Sequence, residues 1–326
     1  DGQARGNSLN SDLICQVLPE PSSRGGSERC PPTMAAVNSR AVSTVRLDGA
    51  PVRDAILEKV AGRLRAAGNP AVNLATVLVG EDGPSQKYVA SKHRTAESVG
   101  IGSVRVELPG DTTQSVLESE VTRLAADPTV HGILVQMPLP AHLDAERVLA
   151  IIPPAKDVDG LTEVSLGRLV RGVPGHIGCT PLGVMRILSH YGVPTSGARA
   201  VVVGRSTLVG LPLSILLGLK GNDATVTLAH SRTSDLAALC READILVSAT
   251  GVARSITAGH VKPGATVIDV GISRTESGLV GDVDFDAVQG IAGAVTPMPG
   301  GTGLLTVACL MENTVAAAVM QGVVIP

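Results

Sequence analysis

A tyrosine and a lysine four residues apart, Tyr88 and Lys92, are a pair whose types and spacing could support chemistry. On an α-helix, residues at this spacing lie one above the other on the same face. Burial can lower the pKa of a lysine until it acts as a base, and a tyrosine offers a ring for stacking and a hydroxyl for hydrogen bonding. A half-buried tyrosine beside a solvated lysine gives the same pattern, so the pair needs support from the rest of the chain.

The elements around this pair predict where it lies. Residues 74–79 form an apolar, partly β-branched run, which is typical of a buried parallel strand. Pro84 suits the first position of the next helix, which we expect to run to about Gly100. A strand followed by this helix places Tyr88 and Lys92 at the carboxyl edge of the sheet, where ligands of open α/β folds bind.

Two further polar groups are expected at the same edge. A predicted strand over residues 132–136 ends at Gln136. The loop 156–160 carries Asp157 and Asp159 between two helical runs. This loop is either a charged turn or a site where a carboxylate binds a polar heterocycle through two hydrogen bonds, and the loop alone does not decide between the two.

Strands and helices alternate through the first half of the chain. The spacing of apolar residues predicts helices over 54–67 and 113–126, and alternating polarity predicts a strand over 104–108. The resulting βαβαβ order implies a parallel sheet with right-handed crossovers. We assign residues 44–175 to this first, catalytic domain, together with a C-terminal segment over 305–326.

A glycine-rich turn opens the second half. A strand over 198–203 leads through Gly204, Arg205 and Ser206 into a helix, an arrangement that presents backbone N–H groups to a phosphate. Ser206 replaces the second glycine of the Gly-x-Gly-x-x-Gly pattern, so an ordinary strand-to-helix turn is an equal alternative. We assign residues 176–304 to a Rossmann-type domain, which makes the chain an α/β protein with two parallel sheets and a substrate cleft between them.

The tip of the next strand indicates which dinucleotide this turn would bind. Folds that select NAD usually place an acid about 20 residues after the glycine turn, where it binds the ribose 2′-hydroxyl. Here the strand over 224–229 ends at His230, Ser231 and Arg232, and Arg205 lies in the turn itself. Two cations and a hydroxyl without an acid favour a 2′-phosphate, so we predict NADP rather than NAD.

Further glycine-terminated strands are expected to complete the second sheet. They are predicted over residues 245–251, 265–272, 281–283 and from 295 onward. The run 295–303 is rich in glycine and proline, which lets backbone approach a ligand closely. Thr180 and Pro181 form a typical helix start, and the last helix, from about 305 to 321, is long enough to return to the first domain.

Composition disfavours several classes of partner. The 326 residues carry a net charge of −3 without a basic patch and without an unbroken apolar run long enough for a membrane span, so we expect no nucleic-acid or membrane partner. The five scattered cysteines and the spacing of the histidines favour a reduced cytoplasmic protein without a bound metal. Residues 1–43 lack periodicity, which predicts a disordered tail with Met34 as a candidate native start.

Several of these motifs, in this order, resemble the bifunctional methylenetetrahydrofolate dehydrogenase/cyclohydrolase family. The resemblance covers the chain from about Leu47 to the last helix. It depends on motifs over residues 88–92, 132–140, 156–160, 204–212, 267–272 and 299–301. Several motifs of this length in one order are far more specific than any one of them.

The resemblance implies a role for each matching residue. Lys92 would be the central catalytic residue of the hydrolytic step, supported by Gln136, while Tyr88 would stack on the folate ring system. Asp159 would hold the pterin, and Ser85 would help to position the site. Further implied contacts are Pro299 and Gly300 for the substrate, and Gly204, Arg205, Ser206, Ser231, Ile272, Thr180 and Thr306 for NADP.

The implied activity has two steps. A hydride passes from 5,10-methylenetetrahydrofolate to NADP, and water then opens the methenyl product to 10-formyltetrahydrofolate, so the partners are tetrahydrofolate derivatives. Family members are typically homodimers through the second domain. This sequence departs from the family pattern at Gly178, Leu182, Thr302 and Leu304, which affects the balance of the two activities more than the fold.

Two other functions fit part of the pattern. A short-chain dehydrogenase also uses Tyr-x-x-x-Lys, but there the glycine turn precedes the pair, whereas here Gly204 follows Lys92 by more than a hundred residues. A non-catalytic NADP-binding or folate-binding module would result if the changes at Thr302 and Leu304 removed the chemistry. The chain lacks the Gly-x-x-x-x-Gly-Lys-Ser/Thr pattern, so we expect no appended ATP-using formate ligase domain.

Overall fold

The computed structural model describes residues 43–80, 83–276 and 278–326. The tail predicted over 1–43 lies outside these ranges apart from its last residue. The helices are α1 (Gly49–Ala66), α2 (Gly83–Ser98), α3 (Gln114–Ala126), α4 (Ala145–Leu149), α5 (Glu163–Val170), α6 (Cys179–His190), α7 (Gly210–Gly218), α8 (Leu236–Cys240), α9 (Phe285–Val288) and α10 (Gly303–Met320). The strands are β1 (Val45–Arg46), β2 (Asn73–Val79), β3 (Gly102–Leu108), β4 (Gly132–Val135), β5 (Arg199–Val203), β6 (Thr225–Ala229), β7 (Ile245–Ser248), β8 (Thr266–Asp269), β9 (Ser273–Thr275), β10 (Gly278–Val280) and β11 (Ala294–Val295).

The first sheet is parallel and has the strand order β3-β2-β4. β2 is central, and its alternate residues face opposite sides. Ala75, Val77 and Val79 belong to a core that also contains the apolar residues of α3, whereas Leu74 belongs to the core that includes α1 and α2. Because both faces are covered, β2 has the nearly continuous apolar sequence from which a buried parallel strand was predicted.

The second sheet is also parallel, in the order β1-β11-β8-β7-β5-β6. β5 pairs with β6 on one side and with β7 on the other. β6 therefore lies on one side of β5, and β7 and the later strands of the sheet lie on the other side. Such a switch point opens a crevice at the carboxyl end of the strand, which here is Gly204. The predicted α/β class with two parallel sheets is confirmed.

Strand β1 lies in the second sheet, although residues from 44 onward were assigned to the first domain. Val45 pairs with Ala294 and Arg46 with Val295 on β11. Residues 281–283 also differ from expectation, because they form no strand of this sheet, and Val283 makes an isolated bridge with Ile256 instead. Pairings between segments this far apart depend on tertiary contacts, which local patterns do not report.

Helix α1 begins earlier than predicted, at Gly49 rather than Asp54. Pro51 falls in its first turn, where the missing N–H of proline breaks no intrahelical hydrogen bond.

Helix α10 connects the two sheets through the largest core. It packs on α1 and α6, and that core joins Leu134 of the first sheet to Val202 and Ile268 of the second. Contrary to the expectation from sequence, α10 is long and apolar enough to cross a membrane, but 67% of it is buried within the fold. Burial of this extent is typical of a core helix.

Candidate active site

Lys92 is a buried cation at the carboxyl edge of the first sheet, and the whole residue is 4% exposed. Its Nζ donates to Gln136 Oε1 at 3.0 Å and lies 4.4 Å from the centroid of the Tyr88 ring. Gln136 Nε2 donates to Met137 O at 2.7 Å, which keeps the amide oxygen facing the lysine. Burial lowers the pKa of Lys92, and the negative charge of Asp159 opposes that shift. The structure brings the four predicted catalytic residues together.

His93 fixes α2 to the sheet next to Lys92. The ring is fully buried; its Nε2 lies 2.7 Å from Thr76 Oγ1 on β2, and its Nδ1 is hydrogen-bonded to Ser103 Oγ on β3. Burial lowers the pKa of His93 to about 4, with a smaller contribution from Arg105, so the ring is neutral at neutral pH. A neutral ring held by two strands keeps α2 in one position against the sheet.

The charged residues of the loop over 156–160 make different contacts: Lys156 and Asp157 hold the loop in place, and Asp159 faces Lys92. Lys156 Nζ donates to two backbone oxygens at the carboxyl end of α3, at 2.7 and 2.9 Å. Asp157 accepts a hydrogen bond of 2.9 Å from Thr162 N, just before the start of α5. Both ends of the loop are therefore fixed, which leaves Asp159 as the acid that faces the buried lysine.

Cys179, which was not among the predicted site residues, lies against the site as the first residue of α6. Its buried thiol donates a hydrogen bond to Val158 O at 3.4 Å and lies beside Asp159. Burial raises the pKa of the thiol well above its usual value and also raises the pKa of Asp159, where Lys92 opposes the shift. The available sequence signal was its position directly before the helix start at Thr180.

The Tyr88 hydroxyl lies near two threonines, one on α10 and one on α6. Burial raises the pKa of Tyr88 to about 12, and the hydroxyl is hydrogen-bonded to Thr306 on α10. Thr306 Oγ1 lies 3.3 Å from Thr180 Oγ1 on α6. Ser85 lies on the first turn of α2, one turn before Tyr88. The two predicted cofactor-lining threonines therefore contact each other, and Thr306 lies beside the tyrosine hydroxyl.

The glycine turn after β5 is shaped by close backbone contacts. Gly204 has φ +124°, and a methyl group there would overlap Ala249 O. A methyl group on Gly210 would overlap Gly204 O. Ser206 Oγ accepts a hydrogen bond of 3.2 Å from Val209 N, and no side chain caps the start of α7. The turn therefore presents the N-terminus of a helix at the switch point of the sheet, where a phosphate can bind.

The other predicted cofactor residues border this turn. Arg205 is exposed on the turn, while Ser231 and Arg232 are exposed beyond the end of β6, the strand paired with β5. Ile272 lies after β8 and is 57% exposed. A methyl group on Gly303, at the start of α10, would lie 3.6 Å from its Cδ1. The cofactor residues thus reach the helix that also carries the threonine beside Tyr88.

The loop between β11 and α10 contains the predicted substrate residues Pro299 and Gly300. Pro299 is exposed, and Gly300 has φ +107°. Gly49 N donates to Gly300 O at 2.8 Å, and a methyl group on Gly49 would overlap Gly301 O. The loop is therefore held tightly against the start of α1 through backbone contacts.

Two family models match this chain. The catalytic-domain model of tetrahydrofolate dehydrogenase/cyclohydrolase matches residues 47–159, which include Lys92 and Asp159. The NAD(P)-binding-domain model of the same family matches residues 178–322, which include Gly204. The first matched range ends at Asp159, and the second begins one residue before Cys179. These two residues lie side by side in the structure.

Named relatives are similar over most of the chain. The bifunctional protein FolD 2 of Frankia alni is 51% identical over 280 residues, which cover 85% of this chain and 96% of that protein. The crystal structure of the bifunctional enzyme FolD of Campylobacter jejuni has a TM-score of 0.82 at 40% identity, covering 85% of this chain and 99% of that one. The FolD structure of Trypanosoma brucei, complexed with NADP and an inhibitor, has a TM-score of 0.79 at 39% identity, covering 84% and 97%. The chain belongs to the tetrahydrofolate dehydrogenase/cyclohydrolase family.

Proposed function

We propose that this chain catalyses two consecutive steps: NADP-dependent oxidation of 5,10-methylenetetrahydrofolate to 5,10-methenyltetrahydrofolate, and hydrolysis of that product to 10-formyltetrahydrofolate. The observation that carries the proposal is the buried Lys92, which contacts Gln136 and the Tyr88 ring and faces Asp159. Membership of the family and the bifunctional names of the relatives support the same two steps of one-carbon metabolism.

The residues of the second sheet fit NADP. The close contacts at Gly204 and Gly210 bring backbone N–H groups of the turn toward a bound diphosphate. Arg205, Ser231 and Arg232 supply two cations and a hydroxyl for a 2′-phosphate, and residues 230–233 contain no acid that would compete for the ribose. The nicotinamide supplies the hydride acceptor.

Each group beside Lys92 has a physical task. The Tyr88 ring offers a stacking surface for the pterin, and the Asp159 carboxylate can accept hydrogen bonds from its polar edge. Only the neutral amine of Lys92 can accept the proton of the attacking water, and the lowered pKa favours this neutral form beside the cationic methenyl compound. Gln136 orients the amine through a hydrogen bond of 3.0 Å. Ser85, Pro299 and Gly300 complete the substrate contacts.

The same proposal assigns the binding of folate and of NADP to different halves of the chain. Residues 44–175 with the segment 305–326 bind folate, and residues 176–304 bind NADP, with the exception that β1 completes the second sheet. The contact between Cys179 and Asp159 supports a cleft at the junction of these halves.

The proposal also includes a homodimer in the cytoplasm. The dimer follows from the family resemblance, since members of this family typically pair through the second domain. Cys179, Cys240 and Cys309 are free and buried, as expected in a reducing compartment. Light scattering of the purified protein should give twice the mass of the chain, and the mass of a single chain would contradict the dimer.

The decisive experiment follows both steps with purified protein. Methylenetetrahydrofolate and NADP should yield NADPH, and added methenyltetrahydrofolate should be hydrolysed faster than in buffer. A non-catalytic binding module would bind NADP and folate without turnover, and this result would overturn the proposed function. Oxidation without hydrolysis, or the reverse, would overturn its two-step form and direct attention to Thr302 and Leu304.

A further inference from the structure

Asn313 is a buried polar residue in the middle of an apolar helix, and no step of the proposed chemistry uses it. It is 5% exposed on α10. Its Nδ2 donates to Val158 O at 2.8 Å and to Ile177 O at 2.9 Å. Carbonyl oxygens only accept hydrogen bonds, so these contacts define the orientation of the amide and use both of its N–H groups.

The two acceptor oxygens lie next to site residues on different segments. Val158 directly precedes Asp159, and Ile177 lies two residues before Cys179. The segments touch each other: Gly160 has φ +65°, and a methyl group there would overlap the backbone just before Cys179. A single side chain of α10 therefore links the loop that carries the acid to the start of α6.

We propose that Asn313 is a positioning residue that holds Asp159 in its working position beside Lys92. The inference rests on the proposed function, in which these two residues act on the folate. Val158 lies within the matched catalytic range and Ile177 directly before the matched NAD(P)-binding range, so the amide that binds both carbonyls joins the two halves at the site. The link is strong because loss of the amide removes the 2.9 Å donor of Ile177 O and leaves Val158 O with only the longer contact from the Cys179 thiol, at 3.4 Å.

The test starts with Asn313→Leu, which keeps a similar volume but removes both donors. With Asp159 free to move, the hydrolytic kcat should fall about tenfold or more, because small displacements of a catalytic group have large effects on rate. The KM for NADP should stay within about twofold, since the cofactor turn is untouched. Asn313→Ser, which retains one donor, should give a smaller loss and serves if the leucine variant does not fold.

Thr314→Val is the matched control on the same helix. Thr314 is fully buried, and its hydroxyl donates to Leu310 O at 2.7 Å within α10, without contact to the loop. This variant also removes a buried hydrogen bond at constant shape, so it should lower the melting temperature. Its two activities should remain within about twofold of the parent protein.

A double-mutant cycle separates positioning from a purely structural role. In an Asp159→Asn background, adding Asn313→Leu should lower the hydrolytic kcat by less than about twofold, because the group that Asn313 positions is already absent. If the losses of hydrolytic kcat from Asp159→Asn and Asn313→Leu multiplied in the double variant, the inference would be overturned. It would also be overturned if Asn313→Leu, like Thr314→Val, lost only thermal stability. A parent protein without either activity would instead overturn the proposed function.

Discussion

At the scale of single residues, the site depends on a lysine that is buried while an acid remains within electrostatic reach. Burial lowers the pKa of Lys92 from 10.5, and Asp159 limits the shift. The Tyr88 ring, 4.4 Å from Nζ, favours the protonated amine through a cation–π contact. These opposing effects allow one amine to accept and release a proton, which a solvated lysine does poorly near neutral pH.

Replacing Lys92 with methionine should remove the proton-transfer group while keeping a similar apolar stem. We expect the hydrolytic kcat to fall by about 100-fold or more, because general acid–base catalysis contributes about 10²–10⁴ in rate. NADP affinity should be unchanged by calorimetry. Lys59→Met, at an exposed position of α1, is the control and should behave like the parent. Full hydrolytic activity in the Lys92→Met protein would show that another residue carries this step.

Arg205 is expected to select NADP over NAD through the 2′-phosphate. Arg205→Ala should weaken NADP by about tenfold or more, since a charge-assisted contact to phosphate contributes about 1.5–3 kcal/mol. NAD, which lacks this phosphate, should lose much less affinity. Binding of both cofactors is measured by fluorescence titration, with Arg65→Ala on α1 as the control. Equal losses for NADP and NAD would remove the basis for this selectivity.

At the scale of elements, α2 and the loop over residues 156–160 each depend on buried polar contacts. His93 holds α2 to two strands, and Lys156 holds the loop to the end of α3. Neither contact follows from hydrophobic periodicity, which reports the apolar face of a helix and not the polar group that fixes its position.

The neutral His93 predicts a specific pH dependence of stability. Its pKa is lowered from 6.5 to about 4, so the unfolded chain binds a proton that the folded chain excludes. The contribution of His93 is fully present above pH 6.5 and is lost as the pH falls toward 4. We expect the free energy of unfolding to fall by up to about 2 kcal/mol more over this range in the parent than in His93→Gln.

Chemical denaturation at several pH values measures this difference. His131 and His176 also have lowered pKa values, but they are present in both proteins and cancel in the comparison. Parallel stability curves for the parent and His93→Gln between pH 6.5 and pH 4 would contradict a neutral, buried ring.

The turn after β5 should tolerate no side chain at Gly204. Its φ of +124° and the overlap of a methyl group with Ala249 O predict that Gly204→Ala costs more than about 3 kcal/mol and abolishes NADP binding. Gly192→Ala is the matched control, with φ +64° but nothing within 4 Å of the added methyl group. It should cost about 1 kcal/mol and leave binding intact. Thermal melts and NADP titrations of both variants test this, and equal behaviour would contradict the close contact.

At the scale of the whole molecule, α10 packs on helices of both halves of the chain, α1 and α6. The core that contains Leu310 and Met311 of α10 also contains residues of both sheets. The Arg186–Glu312 ion pair, 2.6 Å between Nη2 and Oε1, further ties α6 to α10. We expect a helix shared in this way to link the stability of the two halves.

We therefore expect one thermal unfolding transition for the whole chain. NADP at about 100 times its Kd should stabilise the entire transition by about 2.7 kcal/mol, because a ligand of the folded state acts on everything that unfolds with its site. Differential scanning calorimetry with and without NADP provides the measurement. We expect a single unfolding peak, which NADP shifts to a higher temperature. Two peaks, of which NADP shifts one, would show that α10 does not couple the halves.

Much of this architecture could be predicted from local patterns. The strand over 74–79, the helix that carries Lys92 and the turn at Gly204 were all recognisable, because burial on both faces produces continuous apolar runs and a close contact requires glycine. The predicted site residue Gln136 could be placed at the same sheet edge as Lys92, because parallel strands end together, whereas Asp159 was assigned only through the family resemblance.

The sequence by itself determined the fold class and the family resemblance and, through that resemblance, Lys92 and three of the residues around its amine. Tertiary structure alone decided that β1 joins the second sheet, that Cys179 contacts Asp159, and that Asn313 holds the acid loop. The physical reason is the separation along the chain over which each kind of interaction acts. Periodicity and turn chemistry act between neighbours in the chain, whereas these contacts join segments that meet only after both sheets and α10 have packed together.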